Sequence, residues 1–142
     1  MTSRRRLDDR GTTSLEFALV VPLMFTFIFT LIEAYFALFN FQQVQAVASD
    51  TARCVAIGSN LCTGTNSGQS YAVYLAAPGH GVDALTAAMV SVNASATCGT
   101  QSNMVQVVVT YPLARAMPLN FIPAFMSTYN LVGVGCFPNI SS

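Results

Sequence analysis

The chain has 142 residues, 53% of them hydrophobic and 8% charged, with six Arg, no Lys and a formal net charge of zero; an ordinary soluble domain is about 25% charged. Four of the six arginines (Arg4, Arg5, Arg6 and Arg10) fall in the first ten residues. No basic patch remains elsewhere, so the electrostatic footprint of a nucleic-acid binder is missing.

Behind the arginines, Leu15 to Phe39 form an apolar run long enough for a bilayer span, which takes about 20 residues. By the positive-inside rule the N-terminus stays cytoplasmic and everything after Phe41 is exported. The expected product is a single-pass protein in contact with membrane lipid. A cleaved signal peptide is a competing reading, because Ala46-x-Ala48 precedes Ser49. However, the apolar run exceeds the usual 7–15 residues of such peptides, and the site lies well past its end. An uncleaved anchor fits the span but leaves "GTTSLEF" (11–17) unexplained.

"RGTTSLEFALVVPL", followed by "LIEAYFAL" and "ASDTARCVAI", resembles the TadE-like pseudopilins of tight-adherence (Tad) pilus systems. The motif positions are Gly11, Glu16, Phe17 and Pro22, with Glu33 late in the run. The resemblance is strongest over 10–57 and loose beyond. It implies a leader (1–11) cut between Gly11 and Thr12 by a prepilin peptidase, a residue without a side chain suiting access to the scissile bond. It also implies a structural role, with Glu16, Phe17 and Pro22 in assembly. The implied partners are other pilin and pseudopilin subunits and the assembly machinery. The implied location is the bacterial inner membrane with an exported head, then an assembled pilus or the cell envelope. The other reading is an anchored exported binding domain that does not polymerise.

Residues 12–57 read as one long helix of roughly 69 Å at ~1.5 Å per residue. Its first half is apolar all round, with Pro22 a possible kink. Beyond Asn40 a stripe of Val44, Val47, Thr51 and Val55 separates from Gln42, Gln43, Ser49, Asp50 and Arg53, the pattern of an amphipathic helix with something packed on it. Gly58-Ser59-Asn60 ends it.

The head, 58–142, reads as α+β. A loop at 63–70 leads to a short helix at 69–77, stopped by Pro78-Gly79. Alternation from Val90 to Thr97 predicts a strand. "GTQSN" (99–103) reads as a turn, "MVQVVVTY" (104–111) as a central strand, and "YNLVGVGCF" (129–137) as a third strand weakened by two glycines. The expected architecture is a type IV pilin-like antiparallel meander covering the amphipathic half of the long helix. The prolyl segment 112–127 reads as core, or as a patch for a neighbouring subunit.

Four cysteines, all beyond the span and so exported, read as two disulfides, with three possible connectivities. Spacing favours Cys54–Cys62, across the helix end, and Cys98–Cys136, at one end of the meander. The second pair meets a difficulty: strands two apart lie about 9–10 Å from each other, beyond the ~7 Å limit for a disulfide. Nothing suggests an enzyme, a metal or a cofactor. His80 and Asp83 lack an accompanying nucleophile. Asn93-Ala-Ser and Asn139-Ile-Ser match glycosylation sequons, a pattern frequent by chance.

Overall fold

The computed structural model describes residues 8–62, 67–76, 82–116 and 128–140. His80, Pro78-Gly79 and most of the prolyl segment 112–127 lie outside them. The chain divides into two compact units, Met1–Tyr35 and Phe36–Ser142.

Helix α1 runs from Asp8 to Ala56, 49 residues with Pro22 inside. Its part in the first unit exposes Leu15, Phe17, Leu19 and Leu23. That is the state of a helix whose natural surroundings are apolar.

In the second unit the amphipathic stretch of α1 buries Val44, Val47, Ala48, Thr51, Ala52 and Ala56, while Asp50 and Arg53 stay exposed. Its end is closed by a Schellman motif. Ser59 N–H bonds to Cys54 O at 3.3 Å and Gly58 N–H to Val55 O at 3.1 Å. This geometry needs a left-handed residue, and Gly58 has φ 63°. Two further devices secure the helix end: Ile140 N–H donates to Ala56 O at 3.2 Å, and Cys54 is disulfide-bonded to Cys62.

The sheet is a three-stranded antiparallel meander, β1 (Val90–Cys98), β2 (Gln101–Pro112) and β3 (Asn130–Pro138), with β2 in the middle. Helix α2 (Ser67–Leu75) lies against β1, and a four-residue helix, α3 (Leu113–Ala116), follows β2. One face of β2 (Val105, Val107, Val109, Tyr111) is buried with the α1 stripe and with Ala72 and Ala76 around α2. The head is therefore α+β, with helices on one face of the sheet.

The expected turn at 99–103 is shorter in the structure. Only Gly99-Thr100 turn, and Gln101 already pairs with Cys98. Gln101, Ser102 and Asn103 are polar and exposed, so hydrophobic alternation could not mark them as strand. Register shifts between Asn93 and Ala96, and between Ala96 and Cys98, mark bulges, which bend and twist a strand pair. Asn103, at φ 59°, lies in the second. This bending removes the separation problem, because Cys98 and Cys136 are bonded with their Cα atoms 6.5 Å apart. Two of the backbone groups at 94–95 have side-chain partners. Ser95 N–H donates to Asn93 Oδ1 at 3.1 Å, and Asn139 Nδ2 donates to Ala94 O at 3.2 Å. Both sequon asparagines thus hold the bend.

Tyr111 is 2% exposed, and its hydroxyl donates to Asp83 O at 2.8 Å. With Arg115 Nη1 donating to Ala84 O at 3.3 Å, it holds a loop whose Val82 and Leu85 enter the core. Burial pushes the Tyr111 phenol up from its ordinary 10.0; Arg115 opposes this and Asp83 adds to it. A phenol whose folded pKa is raised contributes stability that is complete below about pH 10 and lost as pH climbs through the folded value. Tyr111→Phe should therefore cost about 1 kcal/mol at pH 8, through the lost hydrogen bond, yet flatten the decline above pH 10. Denaturant midpoints from pH 8 to 11.5 measure both; equal alkaline slopes in the two proteins would contradict the assignment.

Candidate assembly helix and its seam with the head

The residues singled out for assembly lie on the apolar part of α1. Gly11 and Thr12 are within its opening turns. Glu16 and Phe17 follow, both exposed, Phe17 at 72%. Pro22 lacks an N–H and so removes one rung of the helix ladder, but α1 continues through it without a break. Just beyond, Thr26 Oγ1 donates to Pro22 O at 3.1 Å and to Leu23 O at 2.8 Å, and Thr30 Oγ1 donates to Thr26 O at 2.7 Å. The two hydroxyls are thereby satisfied within the helix, as an apolar environment requires. An open groove lined by Val20, Leu23, Met24, Thr26, Phe27 and Thr30 runs along this face.

Glu33 departs from expectation. Its position along the helix suggests an outer-interface carboxylate that reaches water. It is instead 8% exposed, and both carboxylate oxygens are buried without a hydrogen-bond partner among the described residues. Distance along the axis says how deep a residue lies. It does not say which side of the helix it occupies.

Within the head, α1 and β3 form a seam that sequence reasoning missed. A Cβ at Gly133 would stand 2.6 Å from Val44 O, and one at Gly135 would stand 2.6 Å from the carbonyl carbon of Ala48. These glycines let strand backbone touch helix backbone. The spacing matches: two strand residues advance about 6.6 Å and four helix residues about 6 Å. Between the two contacts, Gln45 Nε2 donates to Val134 O at 2.7 Å and accepts Val134 N–H on Oε1 at 3.1 Å. The Gly-x-Gly of β3 was the available signal, but it also fits a weak strand.

An apolar helix long enough to cross a membrane is followed by a small antiparallel sheet, an α+β chain. The family comparison is more specific: residues 11–53 match the model of the family described as TadE-like protein. Over that stretch the chain is similar to the family, and the match takes in Gly11, Glu16, Phe17, Pro22 and Glu33. No curated protein and no solved structure matches the chain.

Proposed function

We propose that the chain is a structural subunit of a Tad-type pilus, a pseudopilin or minor pilin. A prepilin peptidase removes residues 1–11 by cutting between Gly11 and Thr12. The mature subunit sits in the inner membrane through 15–39 with its disulfide-bonded head exported, and then joins other pilus subunits through the N-terminal helix to serve surface adhesion. The chemistry of processing belongs to the peptidase; this chain supplies the scissile bond and the packing surface. The observation that carries the reading is the family match, which opens at the glycine expected to be scissile and continues over an apolar helix with exposed side chains.

N-terminal sequencing and intact mass of the protein from membranes and from sheared pili test it. Thr12 at the N-terminus, in both fractions, is the expected result. Ser49 would indicate an ordinary signal peptide. An intact leader, with no protein in the pilus fraction, would indicate a membrane-anchored domain that does not polymerise.

A further inference from the structure

Both outer strands of the sheet present backbone groups that β2 cannot satisfy. On β1 the run is interrupted by the bulge after Asn93, and Gln69 Nε2 takes Val90 O at 2.9 Å. β3 has no bulge. It pairs with β2 in unbroken register from Asn130 to Pro138, and it carries no charged residue. Val132 and Val134 are 45% and 40% exposed. A regular, uncharged edge is a template for another strand.

Strand alternation points the N–H and C=O of Val134 away from β2, together with those of Val132 and Cys136. The middle pair of the three is the one that Gln45 occupies, donor to acceptor and acceptor to donor. A side-chain amide has the same donor and acceptor as a peptide group. At Val134 it takes the place that a neighbouring strand would fill.

We propose that Gln45 is an edge plug that prevents β3 of one subunit from adding antiparallel to β3 of a second copy. Such pairing is self-complementary about a two-fold axis at Val134, so an identical chain is the partner it excludes. A docking strand needs consecutive outward residues, and with the central one occupied no continuous ladder forms. Subunits then meet through surfaces other than this edge.

The test uses the full-length protein in detergent micelles, comparing wild type with Gln45→Met, which keeps side-chain length but has no amide. Hydrogen exchange at Val134 should be slow in wild type and at least tenfold faster in the dilute variant. Gly133 and Gly135, whose N–H groups face β2, should be unchanged. At higher protein concentration, light scattering should show the Met variant doubling in mass where wild type does not. Adding Val134→Pro, which removes the outward N–H without touching the β2 ladder, should abolish the doubling. Fast Val134 exchange in the wild type would overturn the proposal whatever the variants do. A Met variant that keeps Val107 protected but stays at wild-type mass would also overturn it.

Discussion

Replacing Gly135 with alanine should strongly destabilise the head. The added Cβ would lie 2.6 Å from the carbonyl carbon of Ala48, nearer still to its oxygen, and 2.8 Å from Ser49 Cα. None of these atoms can rotate away, since all belong to the backbone of α1. Ordinary overpacking of a core costs about 1–3 kcal/mol, because flexible side chains take up part of the strain. Here strand and helix must separate along a seam that also holds Gly133 against Val44 and Gln45 against Val134. We expect a loss of about 4 kcal/mol or more, a large share of the ~5–15 kcal/mol that holds an ordinary domain. Val134→Ala is the control. It alters the same strand one residue away, at a side chain 40% exposed, and should cost about 1 kcal/mol or less. Thermal unfolding in detergent, followed by circular dichroism, compares them. A Gly135→Ala midpoint within about 2 °C of wild type would mean that the seam opens without penalty.

The seam also marks where the sequence stopped being informative. Gly58 was readable as a helix stop because the signal is local: a glycine at the end of an apolar stripe, followed by Ser and Asn. Gly133 and Gly135 were not readable in the same way, since their reason lies about 90 residues upstream, in the backbone of Val44 and Ala48. The stripe Val44, Val47, Thr51 faced the core as its period implied. Gln45, beside that stripe, has nothing in its local sequence to set it apart from Gln42 and Gln43. The meander was legible from alternation, and Cys98–Cys136 was favoured despite the strand spacing. What reconciles the two is bending at the bulges near 94–95 and Asn103, and bulges have no period to detect. Glu33 was visible as a charge in a span, but its burial depends on packing that an axial position does not encode.

The stem raises the second large expected effect. Glu16→Ala should be inserted and processed normally and yet fail to enter pili. An ionised side chain well inside a bilayer costs about 2.5–3.5 kcal/mol on insertion scales, so losing this one should not impair insertion. Glu16 lies among exposed apolar side chains, with Leu15 at 66%, Phe17 at 72% and Leu19 at 71%. In an assembled pilus these would meet other helices rather than water. Processing at Gly11 would create an ammonium on Thr12, four residues before Glu16 and about 6 Å along the axis. Subunits in a helical polymer are staggered, so the Glu16 carboxylate of one can meet the Thr12 ammonium of the next. Either charge left alone in such surroundings costs several kcal/mol, which makes the pair a selector of axial offset: a misplaced neighbour leaves a charge unmatched. Glu33 is the comparison: it lies 17 residues, about 25 Å, further along the helix, away from the new ammonium. Glu33→Gln, with a side chain of the same size, should assemble about as well as wild type. We expect recovery of Glu16→Ala in sheared pili to fall at least tenfold, with processed protein in the membrane within twofold of wild type by immunoblot. Normal recovery of the Glu16→Ala subunit, with processing intact, would remove the carboxylate from assembly altogether.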